Sequence, residues 1–353
     1  MAGNFIRING RRIGRGYPTY IVAEMSANHG QNFDQAVSII EAAKASGADA
    51  IKLQTYTPDT LTIDCGRESF QINGTLWAGR KLYDLYSEAY TPWEWQPKLQ
   101  QVARKLGLDL FSTPFDDSAV DFLEAMNVPA HKIASFEIVD IPLIRRIART
   151  GKPIIMSTGM TTLAEIEEAV TAAREAGCRE LVLLKCTSAY PAPPEEMNLQ
   201  TIPHLARTFD VPVGISDHTM GVAVPVAAVA LGACIIEKHF TLSRSEPGPD
   251  SAFSLEPEEF RQMVEAVRAT EKALGENRYG PSSGEEKSRV FRRSLFVVQD
   301  VKRGEPFTHD NVRSIRPGYG LHTRHLDEVL GRHASRDVER GTPLSWDLVN
   351  KAS

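Results

Sequence analysis

The chain has 353 residues, a net charge of −5, 42% hydrophobic and 24% charged residues. That length allows a barrel-sized core of about 250 residues plus one small domain. Mixed charge without a basic tail offers no surface for nucleic acid. No run of about twenty apolar residues reads as a membrane span, and no charged start with an apolar middle reads as a signal peptide, so a soluble cytoplasmic protein is expected.

Eight short apolar segments follow one another in chain order: TYIVAEMS (19–26), AIKLQTY (50–56), DLFSTPF (109–115), AHKIASF (130–136), PIIMSTG (153–159), LVLLKCTSAY (181–190), PVGISDHT (212–219) and CIIEKHFT (234–241). Each body is rich in Ile, Val and Leu, and each carboxyl end turns polar. Amphipathic stretches with helical spacing separate them, as at Phe33 to Ser46, Pro92 to Leu106, Thr162 to Ala176 and Glu258 to Leu274. Strands alternating with helices imply βαβ crossovers and a parallel sheet. Eight units favour a closed (β/α)8 TIM barrel. An open doubly wound sheet would carry a glycine-rich loop after its first strand, where this chain has SANHGQN.

Residues 57–91 form a long connection after the second strand. They carry Trp77, Tyr83, Tyr86 and Tyr90, with Trp93 and Trp95 just beyond. They read either as a small satellite core or as a wall or lid over a substrate. After Leu274 the chain becomes polar and rich in Gly, Ser and Glu, which marks a linker over 276–290. The expected domains are a barrel over 1–275 and a small β-rich domain over 291–353. The four cysteines (Cys65, Cys178, Cys186, Cys234) have no C-x-x-C spacing and read as free thiols in a reducing compartment.

In a parallel barrel, chemistry gathers at the carboxyl ends of the strands. Here those ends carry Glu24, Lys52 and Gln54, Thr113, Lys132 and Ser135, Ser157, Lys185 and Tyr190, Asp217 and His218, Glu237 and His239. His218 and His239 end neighbouring strands, within reach of one ion. Imidazole suits Mn, Fe, Co or Zn, and nearby carboxylates shift the choice toward Mn2+ or Mg2+. Regular pleating is expected to turn Asp217 and Glu237 to the other side of their strands. Lys52, Lys132 and Lys185 lie in apolar runs and must meet anions. Those anions are either Glu24, Glu137 and Glu237 or, with Ser135, Ser157 and Ser216 beside them, a phosphate or carboxylate ligand. Asp250, in GPDSAFSLEP, is a turn aspartate or an acceptor for sugar hydroxyls.

With IVAEMSANHG, ADAIKLQTY, STPFD, HKIASFE, IMSTGM, LLKCTSAYP, GISDHT, EKHFT, GPDSAFSLEP, RRSL and RPGYGL in this order, the chain resembles the sialic acid synthase family over nearly its whole length. The resemblance implies a TIM barrel followed by a small antifreeze-like (SAF) domain and a domain-swapped homodimer. It implies condensation of phosphoenolpyruvate with an N-acetylated amino-sugar aldehyde. It assigns His218 and His239 to a divalent metal, Mn2+ or Mg2+. It assigns Lys52, Thr113, Lys132, Ser135, Ser157 and Ser216 to phosphoenolpyruvate. Glu24 and Glu137 fall beside the reacting carbons and the pyruvoyl end, and Gln54, Tyr190, Asp250 and Phe253 face the sugar. Arg316 matches an arginine that a neighbouring subunit delivers to the N-acyl group. Within the family, Lys185 before Cys186 and Ser251 after Asp250 stand where N-acetylneuraminic acid synthases usually have histidines. With the 57–91 insertion, they lean toward the branch that makes pseudaminic acid from a 6-deoxy, di-N-acylated altrose. Three rivals remain: a synthase for N-acetylneuraminic or legionaminic acid, a phosphoenolpyruvate-dependent synthase of a phosphorylated keto-sugar acid, and a non-catalytic sugar-binding protein.

Overall fold

The structure is a computed structural model and describes residues 5–246 and 248–350. The first four residues of the expected barrel domain, Pro247 in its last loop and the final three residues of the expected small domain lie outside the described residues. The chain divides into two compact units after Gly275.

The larger unit opens with a hairpin, β1 (Phe5–Ile8) and β2 (Arg11–Gly14), paired antiparallel. Its turn is Asn9-Gly10, with φ of 47° and 79°. A two-residue turn that matches strand twist needs positive φ at both positions, which is why Asn-Gly stands there. This hairpin is not among the elements expected from the apolar runs. Eight parallel strands follow and close on themselves: β3 (Tyr20–Glu24), β4 (Ala50–Thr55), β5 (Asp109–Pro114), β6 (His131–Ile133), β7 (Ile154–Ser157), β8 (Leu181–Cys186), β9 (Val213–Asp217) and β10 (Ile235–His239). Each pairs with the next, and β10 pairs with β3. The expected TIM barrel is what the chain forms.

Period-two alternation sorts each strand into two faces. Outward residues such as Ile21, Ile51, Leu53, Ile154, Leu183 and Ile236 pack with the surrounding helices in one large core. Those helices start where side chains cap them: Asn32 accepts from the Gln35 amide ahead of Phe33–Ala45, and Thr162 and Glu165 form a capping box ahead of Leu163–Glu175. Inward residues form a second core. Tyr20, Val22, Phe111, Ile155, Leu184 and Ile235 are buried together with Ile6, Ile8 and Ile13 of the hairpin. Asn9 donates to the Asp109 carboxylate at 2.5 Å, at the first residue of β5. The hairpin therefore stoppers the amino end of the barrel with hydrocarbon. At this end the inward polar groups are paired locally, with the Tyr20 hydroxyl donating to Asp109 at 2.6 Å, and the buried charges of the inward face lie at the carboxyl end.

The smaller unit pairs β11 (Ser294–Val297) with β12 (Val312–Ile315) around a core that includes Leu295, Val297, Phe307, Val312 and Val329. Residues read as linker group with this unit, and Glu286–Phe291 forms a 3-10 helix.

Ile8 is fully buried in the stopper. Ile8→Ala should cost about 2–4 kcal/mol in a denaturant titration, from lost transfer energy and the cavity left behind. A loss below about 1 kcal/mol would mean that the hairpin is not part of the barrel core.

Candidate active site

Above the stopper the inward positions become charged. Lys52, Lys132, Glu24 and Glu237 are all buried at the carboxyl end of the barrel. The strand register sets them side by side: Glu24 pairs with Lys52 across β3 and β4, and Glu237 pairs with Ser216 across β10 and β9. Lys52 forms ion pairs with Glu24 and, at 3.7 Å, with Glu237, and it reaches the Thr113 hydroxyl at 3.4 Å. Lys132 lies 3.5 Å from Glu237 and donates to Ser157 at 2.7 Å. Ser216 donates to Glu237 at 3.1 Å. Gln54 donates to Glu24 at 3.1 Å and to the Ser26 hydroxyl at 2.9 Å.

The charges tune one another. Burial lowers the Lys52 ammonium, but Glu237 and Glu24 outweigh it and hold it above the ordinary lysine value. Lys132 is lowered, chiefly by burial, with Lys52 adding to the effect. Burial raises the Glu24 carboxyl despite Lys52 beside it. Burial also works against Glu237, but two neighbouring lysines hold its carboxyl below the ordinary range.

His218 and His239 stand at the same level, ring centroids 5.3 Å apart. The His218 Nδ1 meets the Thr187 carbonyl at 2.9 Å, which leaves its Nε2 for another partner. His239 is held neutral: burial lowers it well below the ordinary histidine value, and His218 and the lysines add to that. Its Nδ1 is buried without a hydrogen-bond partner, as is Glu237 Oε2. These orphaned atoms and two adjacent imidazoles fit a divalent cation. Among the described residues no group of three or more His, Cys, Asp and Glu is placed to hold an ion. Two protein ligands would leave the remaining positions to substrate and water.

Lys52, Lys132, Glu237, His218 and His239 line one cavity of about 360 Å³ with Gln54, Ser135, Ser157, Ser216, Glu137, Tyr190 and Asp250, whereas Glu24 and Thr113 are buried against Lys52 and do not line it. The 57–91 insertion supplies much of the remaining wall, through Leu61, Ile72, Thr75, Trp77, Leu82, Leu85, Tyr86 and Ala89. Trp77 donates its indole N–H to the Pro249 carbonyl at 2.9 Å, and its ring lies 5.7 Å from Tyr190. The insertion is thus a wall of the cavity, while Trp93, just beyond it, is spent on packing: it donates to the Tyr56 carbonyl and its ring lies against Phe122. Asp250 accepts from Ser26, whose φ of 47° is unusual for a residue with a Cβ. Gly159 is required by contact: a Cβ there would come within 2.7 Å of both the Ser135 and the Ser188 hydroxyl oxygens.

Three expectations need correction. Glu237 faces into the barrel with His239, because residues two apart share a face; only Asp217 turns away. Lys185 is not brought to the cavity. It lies between the inward residues Leu184 and Cys186, and its ammonium bonds the Cys186 carbonyl at 2.7 Å and Thr187 at 3.0 Å. Phe253 is buried behind the cavity, ring to ring with His239 at 4.9 Å and Tyr190 at 5.0 Å. Arg316 lies exposed in the smaller unit, just past β12. The cavity also includes Ser26 and Cys186, which the sequence analysis does not single out. Burial raises the Cys186 thiol, but His218, Ser135 and Lys132 outweigh it and bring it to about 7. The position of Cys186, one residue past Lys185 on a pleated strand, was the available signal.

An eight-stranded parallel barrel with a charged, imidazole-bearing carboxyl end, followed by a small β unit, defines a class of two-domain α/β protein whose chemistry sits in the barrel mouth. Residues 39–279 match the NeuB family and residues 292–350 match the SAF domain. The chain belongs to the NeuB family. It is 47% identical to the pseudaminic acid synthase of Helicobacter pylori, over 95% of this chain and 99% of that one. It is 36% identical to the N,N'-diacetyllegionaminic acid synthase of Legionella pneumophila, over 98% and 99%. Among solved structures, that of the spore coat polysaccharide biosynthesis protein spsE of Bacillus subtilis is similar with a TM-score of 0.67, 33% identity and 99% and 100% coverage.

Glu137 lines the cavity with one carboxylate oxygen unpartnered, and burial raises it to about 7 from the ordinary 4.5. A carboxyl raised on folding leaves the folded state unpenalised below its ordinary value. Stability is lost as pH rises from there through about 7. Glu137→Gln should therefore gain on the parent by about 1–3 kcal/mol between pH 5 and pH 8 in thermal unfolding. A stability difference that does not change with pH would show that Glu137 is solvated.

Proposed function

We propose that the protein condenses phosphoenolpyruvate with the open-chain aldehyde of an N-acetylated amino sugar and water, giving a nonulosonic acid and phosphate. We propose 2,4-diacetamido-2,4,6-trideoxy-altrose as the sugar and pseudaminic acid as the product. The 47% identity to pseudaminic acid synthases from two genera supports this choice over legionaminic acid synthases at 36%. The observation that carries the reading is the convergence of two buried lysines and two imidazoles on one cavity.

In this reading Lys52 and Lys132 hold the phosphate and carboxylate of phosphoenolpyruvate, with Thr113, Ser135, Ser157 and Ser216 donating hydroxyls. His218 and His239 would hold Mn2+ or Mg2+, which when bound would supply Lewis-acid polarisation of the aldehyde oxygen. The C3 carbon of phosphoenolpyruvate bonds to the aldehyde carbon, and the aldehyde oxygen takes a proton to become a hydroxyl. Water adds at C2 and its first proton balances the one taken by the aldehyde oxygen. The bond between C2 and the bridging phosphate oxygen then breaks, phosphate leaves with the electron pair, and the C2 hydroxyl gives its remaining proton to phosphate as it becomes the keto carbonyl. Glu24, raised by burial and beside Lys52, orients this water and takes its proton. Glu137 stands beside the pyruvoyl end. Gln54, Tyr190 and Asp250 orient the sugar, and the apolar wall of the insertion suits its deoxy and acetyl methyl groups. Holding both substrates in register supplies a large share of the rate. The resemblance adds a homodimer in which Arg316 reaches the N-acyl group of sugar held by the other copy.

Phosphate release from phosphoenolpyruvate should require both the sugar and a divalent ion. His218→Ala or His239→Ala should lower kcat/KM at least about 100-fold, as expected when transition-state charge loses its support. Full activity in chelator would contradict the metal role. Sugar binding without any phosphate release would favour a non-catalytic protein, and preference for a manno-configured sugar would move the chain to the neuraminic or legionaminic branch. Arg316→Ala should raise KM for the sugar well above its effect on KM for phosphoenolpyruvate; equal changes would remove Arg316 from the site.

A further inference from the structure

On the outer face of the barrel, directly behind the two histidines, lies a second pair of buried charges. Asp217 and Lys238 are each the residue before a site histidine, and strand pairing puts them opposite one another on β9 and β10. Both side chains have no solvent exposure. The Lys238 ammonium meets Asp217 Oδ2 at 2.6 Å and also donates to the Thr219 carbonyl. The other Asp217 oxygen accepts from the Thr219 amide at 2.9 Å. Lys238 thus grips the residues on both sides of His218 while being the direct neighbour of His239. The chain from one imidazole to the other runs through a single ammonium.

An ion pair so placed does little for stability. Taking two charges out of water costs several kcal/mol per ion, and apolar replacements of similar volume are often neutral or stabilising. Strand ends, in contrast, lose their ladder partners and are free to splay. His218 lies one residue past the end of β9, where the Ala192 amide on its carbonyl at 3.0 Å and the Thr187 carbonyl on its ring hold it toward the β8 side, and none of these contacts links it to His239 on β10. We propose that Asp217 and Lys238 are positioning residues that fix the separation of His218 and His239, so that one divalent cation meets both rings. This inference rests on the metal reading above, and it concerns the outer face of the barrel, which touches neither substrate nor ion.

The test is titration of the full-length protein with Mn2+ alone, by calorimetry, in the parent and two variants. Asp217→Asn weakens the grip on Lys238 but keeps the oxygen that accepts from Thr219. Asp217→Leu combined with Lys238→Met removes both charges at similar volume. The double variant should unfold within a few degrees of the parent yet bind Mn2+ at least about tenfold more weakly, the size seen when outer support of metal ligands is removed. Asp217→Asn should fall in between. Mn2+ affinity within twofold of the parent in a folded double variant would overturn the inference. So would a double variant that fails to fold, because the pair would then serve the barrel itself. A parent that binds no Mn2+ would overturn the metal reading and this inference together, a result distinct from both.

Discussion

Everything in this protein turns on four charges held inside the mouth of a barrel. Lys52, Lys132, Glu24 and Glu237 are buried and cancel one another. A cluster of this kind is a poor source of stability, since desolvation consumes most of the attraction. It is a good receptor for an anion. The cations are already out of water, so an incoming phosphate or carboxylate meets them at low dielectric without first stripping their hydration. The two glutamates keep the cluster near neutral and offer proton acceptors beside the two ammonium groups.

The rest of the molecule explains how such a cluster is tolerated. Inward positions alternate with outward ones on every strand, so the interior can be apolar at one end and charged at the other without disturbing the shell where strands meet helices. The hairpin at the start of the chain seals the apolar end. The cavity lies at the carboxyl end, where the 57–91 insertion lines it with aliphatic and aromatic side chains. The result is a cavity with a charged floor and an apolar wall. The phosphoenolpyruvate proposed above would meet the first, and the proposed sugar the second.

Much of this was legible in the sequence. All eight strands announced themselves as short branched-aliphatic runs with polar carboxyl ends, and the helices between them by spacing. The cluster was legible residue by residue for Lys52, Lys132, Glu24, Ser157, His218 and His239, because barrel topology alone gathers strand ends. Errors came where parity was not followed. Glu237 sits two residues before His239 and must share its face, whereas Lys185 sits one residue before Cys186 and cannot. The hairpin was signalled by Asn9-Gly10 between alternating isoleucines, a local cue overshadowed by the larger repeat. Phe253 could not be placed from sequence, because its position behind the histidines depends on how a long loop folds back. The wall made by the insertion was equally hidden: nothing local tells a packed indole from one that faces a ligand.

The most direct test of the charge cluster is a crystal structure with phosphoenolpyruvate bound. The account predicts phosphate or carboxylate oxygens within about 3 Å of both the Lys52 and the Lys132 ammonium groups, with the Lys52–Glu24 pair loosened. Phosphoenolpyruvate bound elsewhere, or the four charges still paired only with one another beside it, would contradict it.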